Sequence, residues 1–196
     1  MLIGASTGGP GLIESIVSSL PSGMEAALVI AQHMDRISLE SFAKRVGRIS
    51  GLNSTLVTDR CLLEKGKIYI LSDTALLHTK GGRIELAIER EKSGFYHPTI
   101  DRLFESAARI EGTAITAILL SGIGRDGAKG MHELKTAGHR TIAQDEKSSI
   151  VYGMPKAAAE MGAASIICPI EEIIAQISES VEPVSKTSIG GTEKIC

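Results

Sequence analysis

Tryptophan is absent from this 196-residue chain, and tyrosine and phenylalanine number three each. So few aromatics argue against a stacking surface for single-stranded nucleic acid. Neither sign of charge is in excess: 21 Lys and Arg stand against 23 Asp and Glu, a formal net charge of −2. Nucleic-acid binders usually carry a basic surplus, so nucleic acid is not an expected partner. Cysteine is sparse, with Cys61, Cys168 and Cys196 far apart. They form no CxxC pair and no disulfide framework, a usage that suits a reducing cytosol. No apolar run approaches the ~20 residues of a membrane-spanning helix. The opening Met-Leu-Ile-Gly-Ala-Ser lacks the basic n-region of a signal peptide. A soluble, cytoplasmic protein with no membrane insertion is expected. The HExxH spacing is missing as well: His78, His97, His132 and His139 form no such pair. No metal and no cofactor are expected.

What is present fits a globular protein of one domain. Apolar residues make up 43% and charged residues 22%, ordinary values that exclude a wholly disordered chain. Short apolar runs alternate with helical patterns. Strands are expected over 2–4, 26–31, 54–57, 67–71, 83–88, 113–120, 141–143 and 165–168, with an additional strand at 75–79. Helices are expected over 10–20, 38–49, 98–110, 127–137, from Pro155, and over 171–181, with Pro98 in a first turn. Alternating strand and helix implies an α/β fold, a doubly wound, mostly parallel sheet with helices on both faces. Gly81-Gly82 marks an inserted antiparallel hairpin. Residues 1–181 form the domain, and 182–196, rich in Pro, Ser, Thr and Gly with little periodicity, read as a loose tail. Met131, Met154 and Met161 read as core filler, and His132 and His139 as exposed polar positions.

In an open α/β sheet, ligands bind beyond the carboxyl ends of the strands. Three loops there carry suggestive residues. Gly4-Ala5-Ser6-Thr7-Gly8-Gly9-Pro10 matches G-x-S-x-G, in which glycines permit a tight turn that lifts a serine hydroxyl off the sheet. The same segment also reads as a turn that caps a helix or holds a phosphate. His33, at the end of the buried run AALVIA-Gln32, reads as a general base, or as a histidine satisfied by backbone. Gly122, Gly124 and Gly127 fit G-x-G-x-x-G, with Asp145 where a ribose-binding acid would fall. Within that loop Asp126 reads equally as the N-cap of the following helix. Ser6, His33 and Asp126 together are the parts of an acyl-transfer triad. Their order is not the Ser…Asp…His order of α/β-hydrolases.

These segments resemble a known family. IGASTGGP, QHM, SGIGRDGAKGMHELKTAG and TIAQDEKSSIVYGMPKAAAEMGAA, with the helix HPTIDRLFESAA, are similar to the catalytic domain of the CheB family. These are the protein-glutamate methylesterases of bacterial chemotaxis, and the similarity spans about residues 2–177. The resemblance implies Ser6 as nucleophile, His33 as base and Asp126 as orienting acid, with the Ile123 N–H and Thr7 stabilising the oxyanion. It implies methyl-accepting chemotaxis receptors as partners, demethylation and glutamine deamidation as reactions, and a receiver domain supplied in cis or in trans. Two local departures stand out. The family's Gly-Met-Gly is Gly122-Ile123-Gly124 here, and its Ala-Pro-Gly-Asp is Leu71-Ser72-Asp73-Thr74. Typical members also carry a receiver domain before the catalytic one, whereas this chain starts just before Ser6. A nucleotide-binding module and a binding-only relative are the competing readings.

Overall fold

A computed structural model describes residues 1–89 and 97–181; the expected tail, 182–196, lies outside the described residues. In chain order the elements are β1 (Leu2–Ala5), α1 (Gly9–Ser18), β2 (Leu28–Gln32), α2 (Arg36–Ser50), β3 (Asn53–Val57), β4 (Arg60–Leu62), β5 (Lys67–Leu71) and β6 (Ala75–Lys80). There follow β7 (Arg83–Ile88), α3 (Ile100–Ala107), β8 (Thr116–Leu119), α4 (Ala128–Thr136), β9 (Arg140–Gln144), α5 (Met154–Glu160), β10 (Ile166–Cys168) and α6 (Ile170–Val181).

Apolar runs without a polar face make strands that are covered on both sides. β1 and β2 are buried at every position. They sit inside a seven-stranded sheet of order β10-β9-β8-β1-β2-β5-β3, every pairing of which is parallel. Ile13 and Ile16 of α1, Phe42 of α2 and Ile173 of α6 pack with Ile3 and Ile30 on one face. Leu103 of α3, Met131 of α4 and Met154 of α5 pack with Leu2 and Val29 on the other. From β1 the strand order runs one way through β2, and the other way through β8, β9 and β10. The β1/β8 boundary is therefore the switch point, where the two following loops diverge and leave a crevice.

The expected doubly wound sheet is present. β6 and β7 form the expected hairpin, with Gly81 and Gly82 at φ 58° and 74°, the doubly positive turn that only glycine adopts readily. β4 adds a third strand to that small sheet. Other expectations need correction. The strand expected over 113–120 is only Thr116–Leu119, and the helix expected over 98–110 is Ile100–Ala107. Pro98 precedes the Thr99 N-cap instead of entering the first turn. Met161 is 38% exposed and is not core, and His139 is half-buried. Among the described residues, no helix is long and apolar enough to cross a membrane.

Candidate active site

Alternation along two neighbouring strands sets the first two side chains. β1 and β2 pair in register with Ala5 opposite Gln32, and the His33 N–H donates to the Ala5 carbonyl at 2.9 Å. Ser6 and His33 thus leave adjacent parallel strands, which lie ~4.8 Å apart, at the same level. Leu2 of β1, and Val29 and Ala31 of β2, belong to the core on the α3 side. Continuing the period of two directs Ser6 and His33 to that side as well. Gln32 is directed to the opposite side, toward α1.

Asp126 is delivered from the far side of the switch point, on the loop after β8. It is 6% exposed. Its Oδ2 accepts from His33 Nε2 at 2.8 Å and from the Ile100 N–H at 2.8 Å. Its Oδ1 accepts from the Asp101 N–H at 2.9 Å. Ile100 and Asp101 open α3, so free donors at the start of that helix are met by the carboxylate. This corrects the N-cap reading. The N-cap of α4 is Gly127, at φ 88° with no side-chain bond, and Asp126 caps a different helix. Thr99 makes no side-chain cap bond at α3, which leaves that place to Asp126.

The Ser6–Gly9 turn is stitched from three directions. The Ser6 N–H donates to the Ser121 carbonyl at 3.0 Å, and the Gly9 N–H to the Ser6 carbonyl at 2.8 Å. The buried Ser121 hydroxyl donates to the Thr7 carbonyl at 2.8 Å and accepts from the Val151 N–H at 2.9 Å. Gly8, at φ 84°, caps α1, so the helix dipole is directed at the Ser6–Thr7 turn. Gly122 presses against Ser6: a Cβ there would lie 2.6 Å from Ser6 Cβ and 2.3 Å from Met154 Sδ. Its lack of a side chain serves close packing inside the site. That removes the physical reason for a dinucleotide reading of this loop. Asp145 is likewise engaged locally, accepting from the Ser148 N–H at 2.9 Å, and those hydrogen bonds hold its carboxyl below the usual range.

Thr7 is exposed and Ile123 is 60% exposed, both on loops flanking Ser6. Among the described residues, the Ile123 N–H makes no hydrogen bond. A cleft of about 490 Å³ lined by Met34, Arg36, Ser72, Asp73 and His97 opens beside the His33 loop. The turn that departs from the family pattern is closed by side chains: Asp73 Oδ1 accepts from the Thr74 N–H at 2.8 Å and pairs with His97 Nδ1 at 2.9 Å. Thr74 Oγ1 accepts from the Thr99 N–H at 3.0 Å, linking this turn to the start of α3. Sequence reasoning missed the supporting roles of Ser121, Gln144 and Asp101. Ser121 and Gln144 did lie in the matched segments; what was missing was any sign of their long-range backbone partners. Gln144 Oε1 accepts from the Ser121 N–H at 2.9 Å, and Asp101 Oδ1 from the Gly130 N–H at 2.8 Å. No group of His, Cys, Asp and Glu able to hold a metal occurs among the described residues.

The chain was compared with known proteins. A protein-glutamate methylesterase/protein-glutamine glutaminase of Pseudomonas fluorescens is 38% identical over 178 residues, 90% of this chain and 53% of that protein. One of Pyrococcus abyssi is 34% identical over 185 residues, covering 93% and 50% respectively. The chain thus spans about half the length of the curated relatives it matches. The crystal structure of the Thermotoga maritima CheB methylesterase catalytic domain superposes with a TM-score of 0.85 at 31% identity, covering 92% of this chain and 97% of that one. Residues 1–177 match the family model described as CheB methylesterase. With the sheet, the crevice and the matched span in agreement, the chain belongs to the CheB methylesterase family.

Proposed function

We propose that this chain hydrolyses glutamyl methyl esters on methyl-accepting chemotaxis receptors, and deamidates receptor glutamines, with Ser6, His33 and Asp126 as its triad. The observation that carries the reading is the His33 Nε2 to Asp126 Oδ2 contact at 2.8 Å, made beside the strand end that presents Ser6. Nε2–H donates to the carboxylate, which leaves Nδ1 as the nitrogen that accepts a proton. Ser6 Oγ attacks the ester carbonyl while Nδ1 takes its hydrogen, and Asp126 stabilises the imidazolium. The tetrahedral intermediate collapses, the C–OCH₃ bond breaks, and the imidazolium protonates the methoxide to give methanol. Water, deprotonated by the same nitrogen, then cleaves the acyl-enzyme ester and frees Ser6 and a receptor carboxylate. With a carboxamide in place of the ester, the first product is ammonia.

The Ile123 N–H is the donor assigned to the oxyanion, with Thr7 assisting. Such a donor is worth about 100- to 1,000-fold in kcat. The site is formed from side chains and backbone only, and no cofactor is invoked. A reaction on the cytoplasmic part of a receptor places the protein in the cytoplasm. A receiver domain, joined in cis or acting in trans, is the proposed regulator, in line with relatives about twice this chain's length.

The test is methanol release from methylated receptor membranes. The wild-type chain is expected to release methanol, and Ser6→Ala to reduce release by at least about 10³-fold, as loss of a nucleophile does elsewhere. Turnover retained in Ser6→Ala would remove that hydroxyl from the mechanism.

A further inference from the structure

Gln32, the last residue of β2, is 1% exposed and projects to the α1 side of the sheet. Its amide nitrogen donates to two main-chain carbonyls, that of Ser6 at 2.9 Å and that of His33 at 3.0 Å. Those two residues supply the proposed nucleophile and base. One planar NH₂ group therefore ties together the backbones of both partners in the first proton transfer. The Ser6 carbonyl already accepts from the Gly9 N–H, so the amide is a second donor to it.

The other end of the amide is poorly served. Gln32 Oε1 is buried with no hydrogen-bond partner. It lies against Gly9, where a Cβ would fall only 2.2 Å from it. A buried acceptor without a donor weakens a fold. An apolar side chain would remove that orphaned acceptor, but it would also take away the donors that tie the Ser6 and His33 carbonyls together. What Gln32 supplies that an apolar residue does not is that tie between the two strand ends.

We infer that Gln32 is a positioning residue: through its two amide hydrogens it fixes the distance and angle between Ser6 and His33. The inference rests on the proposed function, because only a reaction that moves a proton from Ser6 to His33 needs that geometry held. A misplacement on the ångström scale lowers rate about 100-fold in well-aligned sites. The loss falls on kcat, because the Gln32 side chain is buried and out of reach of a substrate.

The experiment compares wild type with Gln32→Met and Gln32→Leu, measuring methanol release from methylated receptor membranes together with thermal melting, with rates normalised to folded protein. The expected result is a fall in kcat of about 10- to 100-fold, KM within about twofold, and a Tm within about 3 °C of wild type. Unchanged kcat in both variants overturns the inference. So does a kcat that falls only in step with Tm, which marks a structural role, or a change confined to KM, which marks a binding role. A wild-type chain that releases no methanol marks failure of the proposed function itself and takes this inference with it.

Discussion

Asp126 does two things with one carboxylate: it holds the Nε2–H of His33, and it satisfies the first donors of α3. The two demands are compatible, because the carboxylate's two oxygens have room for all three donors. Asp126→Asn separates them. Its amide oxygen still accepts one helix N–H, but an NH₂ facing Nε2 requires that nitrogen to become an acceptor. The proton then sits on Nδ1, which can no longer take one from Ser6. Methanol release is expected to fall about 10³- to 10⁴-fold, the scale of a wrong-tautomer defect in a triad. Stability read from urea unfolding should also drop, by about 1–3 kcal/mol for the donors left unsatisfied in a buried place. Activity lost without any change in stability would mean that the cap on α3 is unimportant.

At the scale of elements, α3 reaches Asp126 because it lies on a track of glycines. A Cβ at Gly4 would fall 2.5 Å from Ile100 Cγ2, one at Gly127 2.7 Å from the same atom, and one at Gly130 2.6 Å from both the Asp101 carbonyl oxygen and Phe104 Cβ. Gly130→Ala should raise the helix propensity of α4 by about 1 kcal/mol. The clash with backbone and core should nevertheless give a net loss of roughly 1–3 kcal/mol and shift α3 away from Asp126, lowering kcat as well. Gly11→Ala is the control: it too is helical, but a Cβ there meets nothing within 4 Å. That variant should be stabilised by about 0.5–1 kcal/mol with full activity, as read from urea midpoints. The same element shows what was legible from sequence. The apolar runs of β1 and β2 and the G-x-S-x-G turn put Ser6 and His33 at the ends of strands, and those strands prove to be neighbours; these are local signals. That Asp126 caps a helix 25 residues earlier in the chain was not legible, and neither was the work of Gln32, which is directed away from the face carrying Ser6 and His33. β4 was missed because its three residues, Arg60–Leu62, have no buried position. The start of α3 was misplaced because Pro98 resembles a first-turn proline, whereas here it precedes the cap.

For the whole molecule, one half-buried carboxyl beyond the carboxyl ends of the strands, that of Asp101, sets a pH dependence above about pH 4. Desolvation is the main cause that raises its pKa from 3.8 to about 6, with the neighbouring Asp126 charge adding to it. Stability rises with pH wherever the unfolded chain binds more protons. Between about pH 4 and 6 the folded state holds the Asp101 proton that the unfolded chain has lost, so stability falls as pH rises. Asp35 and Asp145, whose pKa values are lowered by hydrogen bonds to Ser38 and Ser148, lose their contribution only as pH falls below about 4, outside this window. The urea midpoint should therefore fall between about pH 4.5 and 6. Asp101→Asn, which keeps an acceptor for the Gly130 N–H, should flatten that fall. A wild-type profile that climbs steadily from about pH 4.5 to 6 would show that Asp101 ionises in the fold as readily as it does in the open chain, and that the carboxylate beside Asp126 is well hydrated.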